Sequence, residues 1–470
     1  MLTRFLGPMG QQVLDNLADA AARLRTPALR LGVTGLRRAG KTVFVSSLVE
    51  NLLRGGALLP FFTLAASGRF LGARLQPQPD PQVPRFAVES HLAALVATPP
   101  HWPEATRGVS QVRVSLRYVP GGFWRRQGSG LATLNLDIVD YPGEWLLDLP
   151  LLHMDYSQWS AFTLALAAQP PRDRLAADWM AYLLTRDPCA PAEEEDARRA
   201  AALYTEYLHA CRQSEARLSL VQPGRFVEPG EMAGAPLLTF VPLPEPGVRR
   251  PPRGSLWSLM AERYEAYREH VVRRFFQEHF ARLDRQIILV DLLGALNAGE
   301  AGVADMRAAL MACLEAFRHG PGSWLDWLTG PRIDRVLFAA TKADHLAAPA
   351  HPVLGALLDS FVSHAAGLIR YEGAKVESMA LASVRCTESL SVSRDGRTLD
   401  CVRGIPLGRN QPTVLYPGDL PESLAALSAH PERRYGFLDF CPPPGLNSDG
   451  RGLPHIRLDH ALEWLIGDRV

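Results

Sequence analysis

The strongest constraint on the fold is one short loop, GLRRAGKT, at residues 35–42. The stretch ALRLGVTG that leads into it has the continuous apolar character of a buried strand, and TVFVSSLVENLL after it has the spacing of a helix. A strand, a glycine-rich loop and a helix in this order are the setting in which the pattern GxxxxGK[ST] indicates phosphate binding. The sequence therefore predicts an α/β fold built around a phosphate-binding loop (P-loop).

The residue types of this loop suit phosphate chemistry. Gly35 and Gly40 let the backbone curl so that successive amides point at phosphate oxygens, while the helix N-terminus adds a partial positive charge. Lys41 supplies a compact ammonium for the β and γ phosphates, and Thr42 offers a hydroxyl to Mg²⁺. Only three of the 50 lysine and arginine residues are lysines, so a lysine here suggests that an ammonium is required.

The predicted phosphate-binding set extends along the whole loop. Its members are Gly35, Arg38, Ala39, Gly40, Lys41, Thr42, Val43 and, from a later motif, Gly143. Arg37 and Arg38 are interpreted first as solvated loop positions, with contact of one of them to a phosphate or a partner as the alternative. A chance match is the alternative to the whole motif, and the correct flanking strand and helix argue against it.

A second motif follows a predicted strand in ATLNLDIVDYPGEWLLDL. The strand ends at Asp140, whose carboxylate can hold Mg²⁺ through water, and Gly143 can bring an amide to the γ phosphate. Asp140 to Gly143 fits the DxxG pattern of GTPases, which is weak by itself. Asp291, at the end of RQIILVD, is a second candidate of the same kind, with capping of the following helix as its alternative role.

Glu144 stands where many small GTPases place the glutamine that orients the attacking water. A carboxylate could position water or act as a base, but it would repel the γ phosphate unless a metal ion or an arginine intervened. Hydrogen bonding within the loop is the alternative role. We expect this difference to affect the rate of hydrolysis.

The third motif, IDRVLFAATKADHL, is a predicted strand that leads into a sequence close to the NKxD of GTPases. In that pattern the aspartate accepts hydrogen bonds from guanine N1 and N2, which adenine cannot donate, and the lysine stem covers the base. The later stretch LASV would bring a backbone amide to guanine O6. A helix N-cap with a solvated lysine is the alternative, and a threonine replaces the usual asparagine. The predicted base-binding residues are Thr341, Lys342, Asp344, His345, Ser383 and Val384.

Composition limits the class of protein. A formal net charge of +1 gives no field that would attract the whole molecule to nucleic acid or an anionic membrane. Six scattered cysteines without CxxC spacing indicate neither a disulfide framework nor a zinc site, so we expect a cytoplasmic location. The N-terminus lacks a signal-peptide pattern. The sequence contains no stretch of about 18 apolar residues, so we expect no direct membrane span.

The chain is longer than a P-loop core requires. About 140 residues separate Asp140 from the strand at 286–291, and their helical spacing predicts a helical insertion. The insertion ends in SLWSLMAERYEAYREHVVRRFFQEHFARLDR, which is predicted to be one long amphipathic helix. In the last part of the chain, an Asp395-Gly396 turn predicts a hairpin and HIRLDHALEWLIG a helix. The predicted parts are an N-terminal helix at 1–28, a P-loop core at 29–145 and 286–387, the insertion at 146–285, and a C-terminal extension at 388–470 docked on the core.

These and other stretches resemble the YcjX-like family of bacterial P-loop proteins over essentially the whole chain. They are GVTGLRRAGKT, WPEATRGVS, DIVDYPGEWLLDLP, VQPGRFVEPGEMAGAP, RQIILVD, LFAATKADH, LASV and LPHIRLDHALEWLIGD. The resemblance implies a GTPase-like core with a mostly parallel sheet and a large helical insertion. It also implies binding of guanine nucleotide and Mg²⁺ and an association with bacterial stress responses.

The resemblance also draws attention to HWPEATRGVS. Thr106 is the candidate switch threonine that closes over Mg²⁺ and the γ phosphate, and Arg107 is a candidate arginine finger in cis. Trp102 is a candidate cover for the nucleotide. A turn residue is the alternative for Thr106, and plain packing is the alternative for Trp102.

Together the patterns predict a P-loop protein that binds guanine nucleotide and slowly hydrolyses GTP with Mg²⁺. It would act as a switch for an unidentified protein partner, which could itself be membrane-associated. The predicted catalytic residues are Lys41, Glu144 and Arg107, and the predicted metal-binding residues are Thr42, Asp140 and Thr106. Two alternatives stay open: a nucleotide-gated scaffold with negligible hydrolysis, suggested by the missing glutamine, and an ATPase, suggested by Glu144 and the missing asparagine.

Overall fold

The computed structural model describes residues 27–36, 38–104, 108–121, 130–248, 250–318, 333–371, 373–394, 396–429 and 435–470. The predicted N-terminal helix, apart from its last two residues, lies outside these ranges. Arg37, Thr106, Arg107 and Asp395 also lie outside them.

A large mixed sheet forms the centre of the described structure. Its strands are β1 (Ala28–Gly35), β2 (Phe70–Gln76), β3 (Ser110–Tyr118), β4 (Ala132–Asp140), β5 (Arg285–Val290), β6 (Arg335–Ala340) and β7 (Lys375–Ala380). Within the described residues the order is β2-β3-β4-β1-β5-β6-β7. Strands β4, β1, β5, β6 and β7 are parallel, whereas β2 and β3 add an antiparallel edge. The expected α/β fold with a mostly parallel sheet is confirmed.

The parallel strands end at one edge of the sheet, and this edge positions the site. Val33 of β1 lies opposite Asp140 of β4, and Val290 of β5 lies opposite Ala340 of β6. The loops that follow these strands therefore lie side by side, which is where open α/β sheets bind ligands.

Helices cover both faces of the sheet. Their bounds are α1 (Lys41–Leu53), α2 (Thr63–Ala66), α3 (Val88–Val96), α4 (Gly143–Leu146), α5 (Tyr156–Ala167), α6 (Arg172–Leu175), α7 (Ala177–Leu184), α8 (Glu194–Gln213), α9 (Gly224–Val227), α10 (Leu256–Tyr267), α11 (Arg274–Glu278), α12 (Leu292–Asn297), α13 (Gly299–Arg318), α14 (His351–Tyr371), α15 (Leu424–Ala429) and α16 (Leu458–Ile466). One buried cluster joins α1 and α16 to one face of the sheet, through residues such as Leu31, Phe44 and Leu465. A larger cluster on the other face joins Ile288 of the sheet to the helices between β4 and β5.

The helices between β4 and β5 share an aromatic core. Trp159 stacks on Tyr264 with 5.0 Å between ring centroids, and Trp179 stacks on Tyr207 at 5.2 Å. The predicted long helix near the end of this region is not one regular α-helix, because a π-helical segment at Arg268–Arg273 joins α10 to α11. A π turn holds more residues than an α turn, so it shifts the buried face of the later part, which a pattern of fixed period cannot anticipate.

The C-terminal part adds a hairpin and a closing helix. β8 (Glu388–Arg394) and β9 (Arg397–Gly404) form the predicted antiparallel hairpin, and β10 (Thr413–Leu415) pairs with β9. Just before α16, the backbone of Ile456 exchanges two hydrogen bonds with Ala382, at 3.0 and 2.8 Å. This contact ties the C-terminal segment to the loop that follows β7. Within the described ranges, no helix combines the length and the apolar character needed to cross a membrane.

Candidate nucleotide site

The loop between β1 and α1 has a tightly curled backbone. Arg38 and Gly40 both have positive φ, at 64° and 78°, and the amide of Ala39 donates to the carbonyl of Leu36 at 3.1 Å. Gly40 is the N-cap of α1, so the loop ends at the N-terminus of a 13-residue helix. The partial positive charge at that terminus favours an anion.

Gly143 lies directly against this loop. A Cβ atom on Gly143 would be 2.5 Å from the carbonyl oxygen of Gly35 and 3.1 Å from the amide nitrogen of Leu36. Gly35 is itself packed closely, since a Cβ there would be 2.9 Å from Cβ of Leu289. Any larger residue at 143 would have to displace the backbone of the P-loop. The structure therefore brings the DxxG segment and the P-loop into contact.

Lys41 and Asp140 form an ion pair at the centre of the site. Lys41 Nζ lies 2.8 Å from Asp140 Oδ1, with side chains 12% and 1% exposed. Their alignment is not that of a hydrogen bond, and neither Lys41 Nζ nor either Asp140 oxygen makes a hydrogen bond to any other described residue. Buried charged groups are normally both paired and hydrogen-bonded, because removing them from water is costly. These three atoms are therefore available to a polar ligand.

Thr42 and Val43 continue from this pair into α1. Thr42 is buried, and its carbonyl accepts a hydrogen bond from Ser46 Oγ at 2.8 Å. Val43 packs against a small apolar cluster that contains Val384 and Phe440. The first turn of α1 thus lies between the Lys41–Asp140 pair and the predicted base-binding region.

Glu144 contacts residues of the helices that precede β5. Its Oε1 lies 3.0 Å from Nη2 of Arg212, which is near the end of α8, and the same nitrogen lies 2.9 Å from Oε1 of Glu228. The side chains of Glu144 and Arg212 are each 9% exposed. Gly224 packs on the backbone of Glu144, since a Cβ there would be 2.3 Å from its carbonyl oxygen.

The residues after Glu144 contact the same helices. Asp148 accepts hydrogen bonds from the amide of Gly224, at 2.8 and 3.0 Å, and from the hydroxyl of Tyr267 at 2.5 Å. Burial raises the pKa of Asp148 to about 7, although these hydrogen bonds act in the opposite direction. The guanidinium of Arg225 lies 3.3 Å above the ring centroid of Trp145. The DxxG segment is thus fixed between the P-loop and the helices that precede β5.

Lys342 has two carboxylate partners. Its Nζ lies 2.7 Å from Asp291 Oδ2 and 2.8 Å from Asp439 Oδ1. Burial disfavours the charged ammonium, but the two carboxylates outweigh it and raise the pKa of Lys342. Asp291 also accepts a hydrogen bond from the amide of Gly294 at 3.0 Å, so it caps α12 as the alternative interpretation expected.

Asp344 is buried next to the chain that follows β7. Its Oδ2 accepts a hydrogen bond from the amide of Cys386 at 2.7 Å, and its carbonyl accepts one from the hydroxyl of Thr387. Thr341 bonds instead to the neighbouring strand, through its amide to the carbonyl of Val290 at 2.9 Å. The structure therefore places Asp344 beside the residues that directly follow the LASV segment, while Thr341 holds β6 to β5.

The remaining predicted base-binding residues surround the same place. The carbonyl of Ser383 accepts a hydrogen bond from Ser47 Oγ of α1 at 2.5 Å. Trp102 donates from Nε1 to the carbonyl of Phe440 at 2.9 Å and packs with Val384 and Val43. His345 is buried with its ring 5.0 Å from that of Phe440, and burial lowers the pKa of His345. Trp102 is thus brought to the predicted base-binding residues.

Two charged residues near the site were missed by sequence reasoning. Arg212 contacts Glu144 from 68 residues away, and Asp439 contacts Lys342 from 97 residues away. Neither lies in a recognisable motif, because YLHACRQSE and YGFLDFC carry no spacing that indicates a charged partner. Only the fold brings them to the DxxG and TKAD segments.

The residues at the strand ends fit a nucleotide with Mg²⁺. Mg²⁺ in phosphate sites is held by one or two protein oxygens together with phosphate and water oxygens. The donors here are the Asp140 carboxylate and the neighbouring Thr42, and the described part of the chain has no group of three His, Cys, Asp or Glu side chains arranged for a metal. The space beside Gly40, where an added Cβ would meet no atom within 4 Å, and the neighbouring ammonium of Lys41 suit a phosphate group.

Comparison with known proteins agrees with this geometry. Residues 29–470 match the family model described as the YcjX-like family, DUF463. A protein of Escherichia coli (strain K12) described as "Ras-like GTPase YcjX" is 40% identical over 450 residues, which cover 94% of this chain and 96% of that protein. A protein of Shewanella oneidensis with the same description is 37% identical over 460 residues, covering 94% of each.

Proposed function

This chain is a GTPase-like P-loop protein that belongs to the YcjX-like family, and on that premise we propose that it binds GTP with Mg²⁺ and slowly hydrolyses it to GDP and phosphate. The observation that carries the proposal is the buried Lys41–Asp140 pair, whose charged atoms lack hydrogen bonds to other described residues. An ammonium and a carboxylate left in this state suit a phosphate and a divalent cation as their partners.

Each group at the strand ends has a role in this proposal. The phosphates are held by Lys41 together with Gly35, Arg38, Ala39, Gly40, Thr42, Val43 and Gly143. Thr42 and Asp140 hold Mg²⁺, with Thr106 as a further predicted ligand. Bound Mg²⁺ neutralises charge that develops on the phosphate oxygens. Glu144 orients the attacking water, and Arg107 remains a predicted arginine finger.

Guanine rather than adenine is the proposed base. Asp344 carries a carboxylate at the end of β6, and guanine N1 and N2 can donate to it, whereas adenine offers an acceptor at N1. The stem of Lys342 is held in place at its Nζ by Asp291 and Asp439, which suits a side chain that covers a base. Asp344 already accepts one hydrogen bond from Cys386, so its second oxygen is the one proposed for the base.

We further propose that the protein acts as a switch in a bacterial stress response, through a protein partner, in the cytoplasm. All six cysteines lie within the described residues and are free, which suits a reducing compartment. The contacts of Glu144 with Arg212 and of Asp148 with Gly224 support a switch, because they link the DxxG segment to the helices that precede β5.

Calorimetric titration of nucleotide-free protein with GDP and with ADP, both with Mg²⁺, tests nucleotide binding and base preference. We expect tight GDP binding and no ADP binding. Lys41→Ala should weaken GDP binding by about 10- to 100-fold, because a hydrogen bond to a charged group contributes about 1.5–3 kcal/mol. Lys375→Ala, at an exposed position on β7, is the matched control and should bind GDP like the wild type.

Asp344→Ala separates base recognition from phosphate binding. This variant should lose its preference for GDP over ADP while it still binds a nucleoside diphosphate. Equal binding of GDP and ADP by the wild type would favour the ATPase alternative. Binding of neither nucleotide by the wild type would refute the proposed function.

A nucleotide-gated scaffold with negligible hydrolysis is the second candidate function. The contact of Glu144 with Arg212 favours it, because a carboxylate held by an arginine has less freedom to approach a water molecule. Release of phosphate in a single turnover, compared between the wild type and Glu144→Gln, distinguishes the two functions. A wild-type rate no higher than that of Lys41→Ala would support the scaffold.

A further inference from the structure

Arg212 is the cation that the region between β4 and β5 brings to Glu144. Its Nη2 lies 3.0 Å from Glu144 Oε1 and 2.9 Å from Glu228 Oε1. Glu144 and Arg212 are both nearly buried, at 9% exposure, whereas Glu228 is 29% exposed. The pair between Glu144 and Arg212 is therefore shielded from water far more than an ordinary surface ion pair.

Two uncharged neighbours also lie close to Glu144. Cys313 is buried near it, and burial together with the charge of Glu144 raises the pKa of that thiol. The backbone of Gly224 closes the site from another side. In such a confined place, the adjacent guanidinium of Arg212 fixes the direction of the Glu144 carboxylate.

The position of Glu144 makes this contact relevant to hydrolysis. Glu144 directly follows Gly143, whose backbone lies against Gly35 of the P-loop. An isolated carboxylate at this point would repel the γ phosphate, and an adjacent guanidinium offsets that repulsion.

We infer that Arg212 is a positioning residue for GTP hydrolysis: it directs the carboxylate of Glu144, and it offsets the repulsion between Glu144 and the γ phosphate. Arg212 contacts the carboxylate of Glu144, so it acts through Glu144. This inference rests on the proposed function, because it assigns a role within the same hydrolysis.

The test is a double-mutant cycle read by single-turnover GTP hydrolysis, with GDP affinity measured in parallel on the full chain. Arg212→Gln, which removes the charge, should lower the hydrolysis rate by about tenfold or more and leave GDP affinity within about threefold. Arg212→Lys, which keeps a charge, should retain most of the rate. In a Glu144→Gln background, Arg212→Gln should have no further effect, because no carboxylate remains to be directed.

Two controls separate positioning from general damage to the fold. Arg263→Gln removes another arginine that pairs with a glutamate in the same region, Glu194, and should leave the rate unchanged. Glu228→Gln removes the more exposed partner of Arg212 and should also leave it unchanged. If Arg212→Gln does not fold, Arg212→Met, which also removes the charge but keeps a long side chain, replaces it, and the ratio of the Arg212→Met rate to the rate with Arg212 is compared between the Glu144 and Glu144→Gln backgrounds. In that cycle, a rate loss confined to the Glu144 background supports the inference, and equal ratios overturn it.

The outcomes distinguish this inference from the proposed function. If the wild type hydrolyses GTP but Arg212→Gln does so at the wild-type rate, or slows both backgrounds equally, the role of Arg212 is refuted while the proposed function stands. If the wild type binds GDP but releases no phosphate, the proposed hydrolysis fails and the role of Arg212 fails with it.

Discussion

Asp148 should make the stability of the protein depend on pH near neutrality. It is buried, it accepts hydrogen bonds from the amide of Gly224 and the hydroxyl of Tyr267, and the charge of Arg225 is nearby. Burial outweighs these favourable interactions with the carboxylate and raises its pKa from 3.8 to about 7. The protonated form is therefore preferred in the folded protein over a range of pH in which the unfolded chain is ionised.

The sign and the size of the effect follow from linkage. Because the pKa is higher in the folded state, the folded state binds the proton more tightly, and this contribution to stability is lost as the pH rises through about 7. Between pH 5 and pH 8 the loss amounts to about 3 kcal/mol, because the slope of about 1.36 kcal/mol for each pH unit applies below pH 7 and falls to zero above it. Asp148→Asn keeps the size and an acceptor oxygen but cannot ionise, so it should lack this dependence.

Urea unfolding at pH 5 and pH 8, followed by tryptophan fluorescence, measures the effect. The buried Trp145 and Trp159 report on the segment around Asp148. The difference in unfolding free energy between Asp148→Asn and the wild type should shift by about 3 kcal/mol in favour of the variant from pH 5 to pH 8. Asp178→Asn, at an exposed position of α7, should show no shift. A difference for Asp148→Asn that is the same at both pH values would refute the reasoning.

Two further variants test the contacts around the site. Gly224→Ala places a Cβ atom 2.3 Å from the carbonyl oxygen of Glu144 and should lower the free energy of unfolding by about 1–3 kcal/mol. Gly247→Ala, whose Cβ would meet no atom within 4 Å, should leave it unchanged. Equal thermal unfolding midpoints for the two variants would contradict this. Asp439→Asn removes one of the two carboxylates that contact Lys342 and should lower the free energy of unfolding in urea by about 1 kcal/mol. The preference for GDP over ADP should persist. Loss of that preference would mean that Asp439 helps to recognise the base.

The parts of the site that lie in short stretches of sequence could be predicted. The P-loop is one continuous segment, and the geometry that it needs at Gly40 and Lys41 depends on neighbouring residues. The strands that end at Asp140 and Ala340 are marked by continuous apolar residues, because parallel strands are buried on both faces. Local signals of this kind specify a strand, its end and the loop that follows it.

The contacts between distant segments could not be predicted. Nothing near Glu144 in the sequence indicates that Arg212 would be its partner, since many arginines in the helical region could meet that carboxylate. The antiparallel β2 was missed because FLGARLQ is short, half-exposed and interrupted by Gly72. In each case the deciding term is packing between elements far apart in the chain, which residue spacing does not encode.

The close contacts make the DxxG segment a rigid connection rather than a free loop. On one side Gly143 lies so close to Gly35 that no side chain fits between them. On the other side Gly224 lies equally close to Glu144, and Asp148 is hydrogen-bonded to the same glycine. Since packed contacts of this kind do not compress, a displacement of Gly143 has to be matched either by the P-loop or by α9. The helices that precede β5 are thus coupled mechanically to the P-loop, and the ion pair between Arg212 and Glu144 adds to that coupling.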